Sequence, residues 1–116
     1  MRGNVVKEKS FNFAVRVVNL SKYLTEQKRE FVLSKQILRA GTAIGALVRE
    51  SEHAESKADF IHKLSIALKE ANEADYWLDL LYTTEYLEEK QHQSLKTDLI
   101  ELLKLLTAIL KTSKNN

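Results

Sequence analysis

No proline occurs anywhere in the 116 residues of this chain, and only three glycines do, Gly3, Gly41 and Gly45. Strands and hairpins need that punctuation, so its absence leaves long helices as the economical way to fold. A chain of this length is large enough to enclose one hydrophobic core and too short for two, so residues 1–116 read as one domain.

The apolar spacing agrees. A first helix is expected from about Lys7 to Gln27, with Phe13, Val17, Leu20 and Leu24 on one stripe and Ala14 and Val18 widening it. Unbroken helix from Lys7 to Glu52 would reach roughly 69 Å, too long for a compact domain, so a turn is placed near Lys28. The second helix, about Phe31 to His53, is expected to turn Leu38, Gly41, Ile44, Gly45 and Val48 inward. Its two glycines let a neighbouring backbone approach, which offsets a helix-propensity cost of about 1 kcal/mol each.

Ser56 followed by Asp59 has the spacing of a capping box and opens a third helix. There Phe60, Leu64, Ala67, Ala71, Ala74, Leu78 and Leu81 recur in steps of four and three. A fourth helix repeats the pattern at Leu95, Leu99, Leu102, Leu106 and Ile109, with Ile100, Leu103 and Leu110 beside it, and residues 112–116 are expected to fray. Short connections force neighbours antiparallel, and the predicted fold is an all-α, up-down-up-down four-helix bundle.

Composition excludes several functions. Without cysteine there are no disulfides, thiolate zinc sites or Cys nucleophiles. No run approaches the roughly 18 apolar residues of a membrane span, and Lys7, Glu8 and Lys9 stand where a signal peptide would be apolar, so a cytoplasmic protein is expected. Charge is divided: residues 1–49 hold ten Lys/Arg against three Asp/Glu, and residues 50–116 hold eight against thirteen, so the two halves attract.

The run from Leu33 to Trp77, LSKQILRAGTAIGALVRESEHAESKADFIHKLSIALKEANEADYW, resembles the four-helix-bundle family encoded in intervening sequences of bacterial 23S rRNA genes. Gln36, Arg39, Ile44 and Glu50 carry the resemblance in the second helix, followed by Asp59, Phe60, Leu64, Ile66, Ala67 and Glu70 in the third. It covers nearly the whole chain and implies a homopentamer of up-down bundles with no established catalytic activity; no cofactor is expected. A related set of pentameric bundles, accessory to retroelement mutagenesis, adds nucleic-acid binding by analogy. The chain departs from the family pattern of Ser, Ser and Asn, carrying Ala40, Ala43 and Leu47 instead. That apolar stripe is expected to meet another subunit.

Lys35, Arg39 and Arg49 share a stripe of the second helix, spaced by the small Thr42 and Ala46. With Arg16, Lys22, Lys28 and Arg29 they make a candidate RNA- or DNA-binding face. The competing reading pairs the helix-two arginines with Glu70, Glu73 and Asp75. Trp77, on the stripe of Glu70 and Glu73, is expected to anchor a subunit interface, although Tyr76, Trp77, Tyr82 and Tyr86 also suit base stacking. Glu50, Glu52 and Glu55 oppose the dipole at the C-terminal end of the second helix, so Glu50 is expected to meet Arg49 or Arg39 of a neighbouring chain.

Metal and catalytic readings fare worse. Glu50 with His53 and Glu89 with His92 have Glu-x-x-His spacing, but they sit at opposite ends of parallel helices, about 30 Å apart. His53, Asp59 and His62 near one turn suit an adventitious cluster better than a zinc site. Ser51, Ser56, Ser65 and Ser94 lack a glycine-rich elbow. Two roles remain: a self-assembling bundle, pentameric if the resemblance holds, serving as an accessory nucleic-acid factor, or an interaction module that recruits a partner helix.

Overall fold

The computed structural model describes residues 2–115, with side chains from Val5 onward. Four helices run α1 Arg2–Glu26, α2 Leu33–Ser51, α3 Lys57–Thr83 and α4 Glu89–Lys114, and no strand occurs among the described residues. Each packs antiparallel to the next in an up-down-up-down bundle of 46 × 21 × 19 Å. The α1–α4 seam that closes the square is the most sparsely packed. None of the described helices is long and apolar enough to cross a membrane.

The four-three spacing accounts for the core. Leu64, Ala67, Ala71, Ala74, Leu78 and Leu81 of α3 are buried against Leu95, Leu99, Leu102, Leu106 and Ile109 of α4, while Phe60 is half-buried at the edge. On α1 the expected stripe is buried and reaches two turns further, through Ser10 to Val6, and the helix begins at Arg2 rather than Lys7. On α2 the buried face is Ile37, Ala40, Gly41, Ile44 and Val48; the expected Leu38 and Gly45 lie at its margin. Ile100 and Val18 face water instead of widening the core.

Both α2 glycines lie against α1. A Cβ on Gly41 would come within 2.7 and 2.8 Å of the two methyls of Val17, and one on Gly45 within 3.2 Å of the Ser10 carbonyl oxygen. A side chain at Gly41 would force Val17 to move, while one at Gly45 would be tight against the α1 backbone.

Helix boundaries follow from capping. Ser56 accepts from the Asp59 amide, as its spacing predicts, and Glu88 with Gln91 closes a reciprocal box at the start of α4. The start of α2 is set by Glu30, whose carboxylate accepts from the amides of Val32, Leu33 and Ser34, so α2 begins two residues later than expected. Arg29 and Glu85, at the two turns remote from the chain ends, take positive φ of 54° and 68°. After Glu85 the Tyr86 amide donates to Leu81, which completes a Schellman turn with Tyr86 packed on the core. The helix of α4 continues through Lys114, past the point where fraying was expected, with Lys111 and Lys114 complementing its C-terminal dipole.

Candidate nucleic-acid interface

The seven cations expected to form a phosphate-binding face divide into two sets. Arg16 points across the α1–α4 seam, where it bonds Asp98 at 2.7 Å and both the carbonyl and the hydroxyl of Ser94. Arg39 is held against α3 by Glu70 and Glu73, and Glu73 also accepts from the Trp77 indole at 3.1 Å. These two arginines are committed to inter-helix pairing, the competing reading of the sequence for Arg39. Lys22, Lys28, Arg29, Lys35 and Arg49 are exposed and have no acidic partner among the described residues. Lys28 lies 5.9 Å over the Tyr23 ring and Arg49 lies 5.7 Å over Phe11.

Four of the unpaired cations gather toward one end of the molecule. Lys22 lies in the last turns of α1, Lys28 and Arg29 lie in the turn that follows, and Lys35 lies in the first turn of α2. Arg49 belongs to the other end of α2 and joins them on no common patch.

The stripe Ala40, Ala43 and Leu47 is not a free apolar strip. Ala40 is 0% exposed, while Ala43 and Leu47 are half-buried, with Leu47 packed on the core. Flanking residues explain the orientation. Arg39 and Glu50 both reach α3, to Glu70 and Lys63, so this side of α2 is turned to α3 of the same chain. Within the chain Glu50 pairs with Lys63 at 3.1 Å, and Glu52 pairs with Lys7.

A different apolar stripe faces water. Phe11, Val15 and Val18 on α1 are all exposed, at helical spacing and opposite the buried stripe of Phe13, Val17, Leu20 and Leu24. Beside them α2 presents Thr42, Ala46 and Arg49 along a broad shallow groove. The i, i+4, i+7 recurrence of Phe11, Val15 and Val18 is present in the sequence, but it is masked by the stronger stripe that interleaves with it.

Between α3 and α4, Lys96 bridges Asp75 at 2.5 Å and Asp79 at 2.9 Å, and His92 contacts the same Asp79 oxygen at 2.9 Å with the Tyr82 ring stacked on its imidazole. Partial burial pushes the Asp79 carboxyl up, but Lys96 and His92 outweigh it and hold Asp79 below the ordinary carboxylate value. Burial likewise disfavours charge on Lys96, and its two aspartates overcome this to raise its pKa. No three His, Asp or Glu side chains converge to hold a metal ion among the described residues. At the end of the bundle remote from the α1–α2 turn, Val6, Val48, Phe60, Leu64 and Ile109 line a partly open, mainly apolar pocket of about 160 Å³.

The family model described as 23S rRNA-intervening sequence protein matches residues 2–108. Among solved structures, the chain is similar to a protein from Bacteroides thetaiotaomicron VPI-5482 described as of unknown function and from the S23 ribosomal protein family. The two share 59% identity and a TM-score of 0.95 over 96% of this chain and 99% of that one. No functionally curated protein matches.

Proposed function

The chain belongs to the 23S rRNA-intervening sequence protein family, and from that membership we propose a non-enzymatic bundle that assembles with copies of itself and serves as an accessory RNA-binding factor. The observation that carries the assembly is the exposed stripe of Phe11, Val15 and Val18 beside the small residues of α2. Three large apolar side chains aligned on one face lose water most cheaply against a matching surface, and a second copy supplies one at the concentration of the protein itself. A ring of five is the assembly that the family resemblance implies.

Support for RNA as the ligand is chemical. Lys22, Lys28, Arg29 and Lys35 collect at one end and none of them forms an ion pair among the described residues, although Glu26, Glu85, Glu88 and Glu89 are exposed at the same end, and repetition around a ring would repeat the cation cluster. The names carried by the family and by its Bacteroides member are ribosomal, which directs the choice among polyanions.

Light scattering behind a sizing column tests assembly. The expected result is an oligomer that Phe11→Asp with Val15→Asp converts to monomer, and a wild-type monomer at micromolar concentration would overturn the proposal and leave the stripe to a partner helix. Fluorescence anisotropy with labelled RNA across a salt series tests the ligand. Lys28→Gln and Lys35→Gln are expected to flatten the salt dependence, and Arg39→Gln to leave it unchanged.

A further inference from the structure

At the tip of the α1–α2 turn, Phe31 and Val32 stand side by side, 53% and 69% exposed. An apolar residue ahead of a helix ordinarily forms a hydrophobic staple, packing on the fourth residue of that helix. Val32 is the N-cap of α2, so Phe31 is the residue ahead of it, and the fourth helical position is Gln36. The staple has no apolar partner there, and the ring faces water.

The surroundings of the ring are basic by construction. Lys28 and Arg29 precede it, Lys35 follows it one helical turn on, and all three are exposed. The acid among them, Glu30, is 9% exposed, because its carboxylate is folded inward onto the amides of Val32, Leu33 and Ser34. Arg29 at φ 54° makes the reversal that turns Glu30 in. From Lys28 to Lys35 the tip therefore displays an aromatic face and three cations while the anion of that segment is spent on the helix start; the next exposed carboxylate back along the chain is Glu26, at the end of α1.

We propose that this tip binds an unpaired nucleotide of single-stranded RNA, with the base stacked on Phe31 and the flanking phosphates held by Lys28, Arg29 and Lys35. A single strand alternates anionic groups with flat π faces, and the tip alternates cations with a ring in the same way along its own chain. Duplex RNA offers the phosphates without a free base face. A lipid surface would match the charge, but two adjacent apolar side chains give it little to insert. The site rests on the RNA-binding reading above and narrows it to single strands and to one end of the bundle.

The test is anisotropy of a short labelled oligouridine and of a blunt-ended RNA duplex against the protein. Phe31→Ala is expected to weaken oligouridine binding about tenfold, the effect of losing one stacked base, with the salt slope unchanged. Phe31→Trp is expected to restore it, and duplex binding is expected to change little in either variant. Lys28→Gln with Arg29→Gln is expected to lower the salt slope by about one to two. Oligouridine binding that is indifferent to Phe31→Ala would overturn the stacking site and leave the RNA reading standing, as would equal losses on oligouridine and duplex. A wild-type protein that binds neither probe would bring down both. Phe31-dependent binding to phosphatidylserine vesicles, with RNA unaffected, would assign the tip to a membrane instead. Phe31 is exposed, so the variants are expected to melt like the wild type, which circular dichroism checks.

Discussion

The Glu30 carboxylate lies 2.8 Å from the backbone nitrogen of Ser34, four residues along the chain, and the same group accepts from Val32 and Leu33. Three of the donors that an α-helix leaves open at its start are thereby satisfied by one side chain that precedes the N-cap. Such an acceptor is worth about as much as an N-cap residue, and its removal uncovers amides in a largely buried setting. Glu30→Ala is therefore expected to cost about 1–2 kcal/mol in chemical denaturation, and Glu30→Gln less.

Gly41→Ala tests the close approach of α1 and α2. Alanine improves helix propensity by about 1 kcal/mol, yet its methyl would strike both Cγ atoms of Val17, a branched side chain with little freedom at χ1. The expected outcome is net destabilisation of about 1–3 kcal/mol, read as a lower denaturation midpoint. Combining it with Val17→Ala is expected to recover part of that loss, so a double-mutant cycle on the pair shows positive coupling.

Glu85 holds the left-handed position of a Schellman turn with φ 68°, where a side chain costs energy and glycine does not. Glu85→Gly is expected to stabilise the protein by about 0.5–1 kcal/mol, a rise of a few degrees in melting temperature.

Asp79 carries a testable acid limb. Its folded-state pKa lies below the unfolded value, so its contribution is present above the ordinary carboxylate range and is lost as pH falls through the lowered folded value. Lys96 has the opposite sense: its raised pKa preserves the bridge below the unfolded lysine value and loses it as pH climbs through the raised one. Asp79→Asn is expected to lower stability slightly at neutral pH, since the carboxylate is half exposed. Urea titrations at stepwise lower pH are expected to show wild type and variant converging.

The four-three runs of α3 and α4 were legible because their steps recur without a break, although Tyr76, Tyr82 and Ile100 give those helices exposed apolar groups as well. Leu64 to Leu81 and Leu95 to Ile109 are buried as their spacing predicts, and Ser56 caps α3 as its distance from Asp59 predicts. Parts of α1 and α2 were harder to read, because there the role of an apolar residue depends on which neighbouring helix its flank meets. Ala40 and Leu47 looked like an outer strip because helical angle alone does not tell the α3-facing flank of α2 from the solvent, whereas the pairs Arg39–Glu70 and Glu50–Lys63 do. Phe11, Val15 and Val18 were overlooked for the reverse reason, as a second apolar face on a helix whose first already explained it. Glu30 gave no signal either, since a carboxylate ahead of the N-cap matches no capping pattern by spacing and acts only after Arg29 has reversed the chain. The basic face was legible as composition and illegible as geometry. Which of seven cations remain unpaired depends on neighbours from other helices, such as Asp98 for Arg16.

The sparse packing between α1 and α4 bears on how quickly the molecule forms. Every densely packed pair joins helices that are consecutive in the chain, so each closes only a short loop and forgoes little chain entropy. Contact between the first and last helices, which must enclose the longest loop, leans on side-chain bridges such as Arg16 to Asp98 and Lys9 to Glu101. The contacts slowest to find are thus also the fewest. A chain arranged in this way has low contact order and is expected to fold within microseconds to milliseconds, with its last seam zipped by charge after the other three have formed.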